Sequence, residues 1–341
     1  MKRLSRPNSR AEFPGISSDE SFTYFLLISL KLLKDGGTLS FILPESILHI
    51  RRHADIRKYI LENCRIKRID CLGKKFQNVL SSVIRLDLQQ RKPDGQEMVM
   101  ICRSGAQYYV AQNRFSRNKG FVFDVYLNSQ DEIMLSKVYE TKHITLEGKA
   151  DWALGIVTGD NGRFLLAEPA AGCEPIYKGS DVSAFRLKKA STYIQFRPQL
   201  FQQVAPVHKY RAKEKLIYKF ISRTPVFAYD DQGSLTLNSA NILIPKVNYP
   251  LKAILALFNS SLYAFIYMKK FHALKILRGD LEQLPLPLWD SSVLETIVNL
   301  VDKVLKEEED FSDLDNYILE QFHFTPKEKE YIRATVQAGN D

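Results

Sequence analysis

The sequence predicts an α/β unit, followed by an α+β unit and a helical tail, and three observations carry that prediction. The first is DGGTLSFILPESIL, Asp35 to Leu48: a double glycine feeds a short apolar run that ends in Leu-Pro-Glu, between two amphipathic helical stretches. A helix hands over to a buried parallel strand in this way, with the strand's carboxyl end opening on a site. The second is the pair IKRIDCL and VIRLDL, which both alternate apolar and polar residues and are separated only by the loop GKKFQNVLSS. With no crossover helix between them they should pair antiparallel. The third is a change of texture after Trp152, where glycine turns punctuate short apolar runs before a long helical pattern closes the chain. At 341 residues there is room for two cores.

Each element has its own signal. Ser17 and Glu20 are spaced as a capping box for a helix through FTYFLLISLKLLK, which Gly36 and Gly37 should close. TLSFIL is too short for a helix and is stopped by Pro44. HADIRKYILEN places Ile56, Tyr59 and Ile60 on one helical stripe. Residues 92–140 read as a polar, strand-poor connection with RKPDG as a turn, QYYV as an isolated strand and IMLSKVYE as a short helix. A new unit begins near residue 141 and runs to 289. From 290 to 341 the chain is helical: Val293, Ile297, Leu300, Val301 and Val304 make one stripe, and Thr325-Pro326 opens the last helix.

Charge and special residues narrow the chemistry. The net charge is +9, and residues 174–223 alone hold eleven Lys/Arg against three Asp/Glu, a net +8. A localised excess of this kind suits a polyanion, although a solvated face would carry it too. Lys209, Arg211, Lys213 and Lys215 alternate, with Lys219 and Arg223 beyond them, which on a strand would align the charges on one face along a phosphate backbone. Tyr210, Tyr218 and Phe220 interleave with them, leaving Leu216 and Ile217 for the core. Lys269, Lys270, Lys275 and Arg278 form a second basic group around Phe271 and His272. Arg and Asn suit bidentate reading of guanine and adenine edges, so Arg186, Arg223, Asn238, Asn241 and Arg278 are candidates for base contacts. Asn238 and Asn241 have a turn-capping reading as well, which is preferred for Asn241.

Other chemistries find no footing in the sequence. Cys64, Cys71, Cys102 and Cys173 lack C-x-x-C or metal-ligand spacing and read as reduced thiols. His49 and His53 have ligand spacing, but Arg51 and Arg52 between them would repel a cation, so they are placed at the surface or near DNA. No nucleophile triad or carboxylate pair is legible, and PDGQEM does not make a nuclease motif. The most apolar run, AILALFNSSLYAFIYM, has sixteen residues with Asn259, Ser260 and Ser261 at its centre. A bilayer span needs roughly 20, so it reads as a buried core helix. With no apolar core after the basic start, no signal peptide is expected and the protein is placed in the cytoplasm.

The ordered phrases KDGGTLSFILPES, IRKYI, GKKFQNV and SVIRLDL, over Phe22 to Leu88, resemble the adenine-N6 DNA methyltransferases of restriction–modification systems, in the Eco57I and TaqI-like branch. YKGSDVSAFRL, TYIQF, KYRAKEKLIYKFISRTPVFAYDDQGSLTLNSANILIP and the run closing at LPLPL resemble the TaqI-like specificity domain, from about Trp152 to Leu288. The half-domains of type I specificity subunits share the same grammar. The resemblance implies the distal part of a class I methyltransferase sheet over residues 1–91, a target-recognition domain over 141–289, and double-stranded DNA as partner. It places Phe76 where relatives stack an aromatic ring on a flipped adenine, an extrusion that base chemistry requires. Lys74 and Lys75 lie beside it, and Lys178, in the YKGSD phrase, joins the DNA-binding candidates. The competing reading of Phe76 is a core residue.

The family's cofactor loop and N/D-P-P-Y/F motif are not present in these residues: RPNS, with Asn8, is not the motif, and Gly36-Gly37 ends a helix instead of opening one. S-adenosylmethionine is therefore expected for the complete enzyme but not on this chain alone, and no catalytic or metal-binding residue is assigned. The expectation is a chain that pairs, along the open edge of the TLSFIL strand, with a polypeptide bearing the missing half. Two alternatives stay open: a non-catalytic specificity subunit, and an inactive truncated gene product.

Overall fold

The computed structural model describes residues 13, 15–17, 20–76, 81–103, 105–271, 275–307 and 310–340. Asn8, residues 77–80 of the GKKFQNVLSS loop and His272 lie outside them. The chain divides into two compact units, Met1–Glu132 and Ile133–Asp341.

In the first unit, α1 (Ser21–Leu32) is followed by β1 (Thr38–Pro44), α2 (Ala54–Asn63), β2 (Cys64–Gly73), β3 (Val83–Gln90), β4 (Met98–Arg103), β5 (Ala106–Ala111) and the short α3 (Asn113–Arg117). The expected capping box does not form. The Ser17 hydroxyl donates to Asp55 Oδ2 at 2.7 Å, and no side chain caps the helix at Glu20. A carboxylate is the stronger acceptor and takes the serine. Gly36, at φ +74°, makes a turn after the helix has ended, with its N–H donating to the Gln90 carbonyl at 2.8 Å.

The strand order is β1-β3-β2-β4-β5, with β1 and β2 both antiparallel to β3 and β2 parallel to β4. The antiparallel pairing of IKRIDCL with VIRLDL is as expected. The strand-poor reading of residues 92–140 is not: β4 and β5 extend this sheet, joined through Gly105 at φ +79°. Val99 and Ile101 are fully buried on alternate positions of β4, the period of a half-buried strand.

β1 lies at the edge of the sheet, as its expected open edge requires, but it is not the buried strand that its apolar run implied. Among the described residues it pairs only with β3, and its side chains alternate in exposure, with Ile42 56% exposed. The Glu45 N–H donates across to Ser82 at 3.0 Å, just beyond the pair Pro44↔Val83. Antiparallel alternation then turns the main-chain groups of Thr38, Ser40 and Ile42 outward. Phe25, Ile28 and Leu32 lie exposed at i, i+3 and i+7 of α1, while Leu26, Leu27 and Leu30 are buried. This element thus carries apolar residues on two faces.

Arg57 on α2 is fully buried. Its guanidinium donates to the Ile47 and Ile50 carbonyls at 2.8 and 2.9 Å and to the Gly120 carbonyl at 2.7 Å. Burial pushes its pKa down to about 10. It fixes the chain that leaves β1, and with it the rim of the sheet. His53 is buried against Phe22, which corrects its surface assignment.

The second unit opens within α4 (Ser129–Glu140), then β6 (His143–Ile144), β7 (Ala150–Ala153), α5 (Asn161–Phe164), β8 (Leu165–Leu166), β9 (Glu174–Tyr177), β10 (Tyr193–Ile194), α6 (Val207–Tyr210), β11 (Lys215–Lys219), β12 (Phe227–Asp230), β13 (Leu235–Thr236) and β14 (Ala240–Pro245). Beyond them are α7 (Leu251–Asn259), α8 (Ser261–Lys270), α9 (Arg278–Leu281), β15 (Leu286–Pro287), α10 (Ser291–Glu307), α11 (Ser312–Gln321) and α12 (Pro326–Asn340). One four-stranded sheet runs β12-β11-β14-β7 and a second runs β13-β9-β10-β8. Their shared core includes Ile156, Ile176, Ile194, Ile217 and Ile242.

The expected single core helix is two helices, α7 and α8, meeting at 64°. The Ser260 hydroxyl accepts from the Tyr263 N–H at 3.3 Å, and the Asp315 carboxylate accepts from the Ser261 N–H at 2.7 Å. Two start signals in the middle of the apolar run break it. No single helix among the described residues is long and apolar enough to cross a membrane. In the tail, Ile297, Val301 and Val304 are buried and Pro326 opens α12, as the sequence predicts.

Candidate nucleic-acid interface

The alternating basic strand does not form. Lys209 lies on the turn of α6 with its Nζ on the Trp152 carbonyl at 3.2 Å, and Arg211 bridges Glu174 and the Gly233 carbonyl, each at 2.7 Å. Only from Lys215 does the chain enter β11, a central strand buried on both faces, so Leu216, Ile217 and Tyr218 are all core. Lys215 is fully buried, donating to the Tyr210 carbonyl at 2.7 Å and forming an ion pair with Asp230. Burial lowers its pKa, with Asp230 opposing that shift. Lys215 is therefore a core residue and does not face DNA.

Other candidates are also engaged. Arg186 donates to the Val304 carbonyl at the end of α10, and Arg223 to the Gly339 carbonyl at 2.5 Å. Lys269 and Lys270 lie over the rings of Phe265 and Tyr139, at 5.7 and 4.0 Å. Lys178 is half-buried at the start of a short turn, Gly179–Asp181. Asn241 lies inside β14, where its Oδ1 accepts from the Gly155 N–H at 3.2 Å, so it holds core backbone instead of capping a turn.

What remains converges on one turn, Asn238-Ser239. The Asn238 N–H donates to the Ile156 carbonyl at 3.1 Å, and the Ser239 carbonyl accepts from the Phe220 N–H at 3.0 Å. Segment 219–221 runs beside segment 275–276, with the Ile276 N–H on the Phe220 carbonyl at 2.8 Å. Lys219 and Lys275 are thereby brought beside Phe220, whose ring lies 5.8 Å from the Lys275 ammonium, and Arg278 follows at the start of α9. Lys275 and Arg278 are exposed, although Arg278 shares an ion pair with Glu282 at 2.9 Å.

On the other side of the turn, Thr158, Asn161, Gln202 and Asn238 line a cleft of about 240 Å³. Asn161, Gln202 and Asn238 are exposed, and the Thr158 hydroxyl donates to Asn161 Oδ1 at 2.6 Å. Gly155 beneath the cleft admits no side chain, since a Cβ there would lie 2.1 Å from the Leu237 carbonyl oxygen. Sequence reading found only Asn238 of this group. The signal for Thr158 and Asn161 was the turn TGDNG, which by itself marks a loop and not a surface, and Gln202 had no signal of its own.

In the first unit, β1, β2 and β4 run parallel, so Glu45, the GKKF loop and Arg103 leave the sheet from one rim. Ligands of open α/β sheets bind outside such carboxyl ends. Lys74, Lys75 and Phe76 are exposed, Phe76 at 52%, which removes the core reading of this ring. The Gly36 and Gly37 N–H groups are spent on the Gln90 and Lys34 carbonyls, both at 2.8 Å, so this glycine pair does not cradle an anion. Nor do three or more His, Cys, Asp or Glu gather as for a metal ion among the described residues.

Residues 10–77 match the Eco57I restriction-modification methylase, and residues 174–286 match the TaqI-like C-terminal specificity domain. The chain is 33% identical over 169 residues to the Type II methyltransferase M.VspI of Vibrio sp. (strain 343), covering 50% of this chain and 41% of that protein. The fold is similar to that of the Type IIL restriction-modification enzyme MmeI, solved in complex with DNA, with a TM-score of 0.53 at 10% identity over 98% of this chain and 52% of that one. The chain thus spans about half the length of these relatives or less. It carries a segment similar to the Eco57I-type restriction-modification methylase followed by one similar to the TaqI-like specificity domain.

Proposed function

We propose that this chain is the target-recognition part of a site-specific adenine-N6 DNA methyltransferase. The observation that carries the proposal is the convergence on Asn238-Ser239 of three exposed amide side chains on one side and Lys219, Lys275 and Arg278 on the other. Amides match the paired donor and acceptor of an adenine edge, and the basic group supplies the backbone contact that sets register. Phe76, exposed on a loop with two lysines, has the chemistry to hold a flipped base by stacking. S-adenosylmethionine and the N-P-P-Y motif would be supplied by polypeptide outside these 341 residues, either continuous with them or separate. The outward edge of β1 and the stripe of Phe25, Ile28 and Leu32 are the surface we assign to it.

The test is titration of a fluorescent duplex with the full chain at 50 to 200 mM salt. Binding is expected, with log Kobs falling linearly in log salt by about 0.9 for every phosphate contacted. Binding should also survive competition by unlabelled duplex of one sequence class better than others. A chain that binds no duplex at the lowest salt overturns the reading.

A further inference from the structure

Three arginines, Arg68 on β2, Arg85 on β3 and Arg103 at the end of β4, are not equivalent. Arg68 is tied to Asp70 at 2.6 Å and Arg85 to Asp87 at 2.9 Å, so each charge is answered within its own strand. Arg103, the last residue of β4, has no carboxylate within ion-pair distance among the described residues. Its guanidinium lies 4.1 Å from the centre of the Tyr126 ring. Tyr126 is itself fixed, because its hydroxyl donates to Glu45 Oε1 at 2.7 Å at the end of β1. Stacking occupies the flat face of a guanidinium and leaves its N–H edge available, so the charge is held in place without being neutralised.

That residue borders a cleft of about 240 Å³ whose walls include Arg68, Leu72, Gln107 and the backbone of Gly105. Asp70, the acid in the wall, is already spent on Arg68. Arg103 lies in register with Cys71 on β2, two residues before that strand ends at Gly73 and gives way to the loop bearing Lys74, Lys75 and Phe76. A pre-oriented guanidinium, a primary amide and a glycine backbone in one cleft are the donors that a tetrahedral oxyanion takes.

We propose that Arg103, held by Tyr126, binds a phosphodiester group of the DNA strand at this rim, next to the Phe76 loop. The inference rests on the DNA-binding reading and adds to it a phosphate contact in the first unit.

The experiment compares the full wild-type chain with R103Q, R103K and Y126L in the same salt-dependent duplex titration, with thermal melts to check folding. R103Q is expected to weaken binding by about 10-fold or more at 100 mM salt and to lower the salt slope by about 0.9. R103K should keep the slope but lose affinity, because an ammonium cannot stack and present a fork together. Y126L should lose affinity with Arg103 still present. If wild type binds and R103Q matches it in affinity and slope, this inference fails alone; if wild type does not bind, the DNA reading fails and takes it down. Should R103Q not fold, phenylglyoxal modification of the wild-type chain decides: DNA must protect Arg103, and equal labelling with and without duplex overturns the proposal.

Discussion

Lys215 separates a charge that builds the fold from a charge that meets DNA. Replacing it by methionine keeps most of the volume but leaves Asp230, 3% exposed, without its cation. Asp230 keeps the Ser234 N–H at 3.0 Å, so it is not wholly unsatisfied. Removing one partner of a buried pair costs about 3–5 kcal/mol. In a unit of this size each kcal/mol moves the melting point by about 2–4 °C, so Lys215→Met should melt roughly 6–20 °C lower. The double replacement Lys215→Met with Asp230→Leu removes both desolvation costs and should recover most of that loss. The assay is a thermal melt followed by a duplex titration at a temperature where both proteins are folded. There the salt slope should equal wild type, because no phosphate contact has been lost. A variant that melts normally but loses about 0.9 from its salt slope would refute the burial argument.

Two further outcomes follow from the first unit. Phe76→Ala should leave the melting point within the range of an ordinary surface change, about 0.5 kcal/mol, and should weaken binding to a duplex with an unpaired adenine by about 5- to 150-fold, the equivalent of one stacked base. Equal affinities for that duplex would remove the stacking role. His53 has its pKa lowered by burial, with Arg57 and Arg52 adding to the shift and Glu20 and Asp55 opposing it. The unfolded chain therefore binds the proton first: stability is complete above about pH 6.5 and declines as pH falls below it, by at most about 1.4 kcal/mol per pH unit. Asp70, with its folded pKa lowered, contributes stability that is lost only at more acidic pH. Melts at pH 7.5, 6.5 and 5.5 should show the decline in wild type and a shallower one in His53→Phe; parallel curves would contradict it.

Patterns carried by local period were legible. IKRIDCL, VIRLDL and the tail stripe fold as their alternation or helical spacing predicts, because one buried face is enough to specify each. Failures came where a partner distant in sequence decided the outcome. Asp55 took Ser17 from its helix, Asp315 helped to break the long apolar run, and Asp230 drew Lys215 into the core. Alternation of lysines looks the same in a sequence whether they line a solvent face or, as here, cross a turn before a buried strand. The same limit hid the proposed recognition face: Asn161 at the start of α5 and Gln202 and Asn238 on two separate turns become one cleft only through the backbone bonds at Ile156 and Val157.

At the β1 edge a local pattern and a distant partner meet. Its apolar composition was written for burial on both sides, yet Ile42 is exposed and the main-chain groups of Ser40 and Ile42 point outward. Edge strands that remain edges are usually protected by a lysine, a proline or a bulge within the strand. β1 carries its only proline at the last position and pairs with β3 without a register shift from Thr38 to Pro44. β1 thus presents outward hydrogen-bonding groups, and α1 an exposed apolar stripe of Phe25, Ile28 and Leu32. An added strand would satisfy the first, and the helix packing over that strand would cover the second, which is the combination that the remainder of a doubly wound sheet supplies.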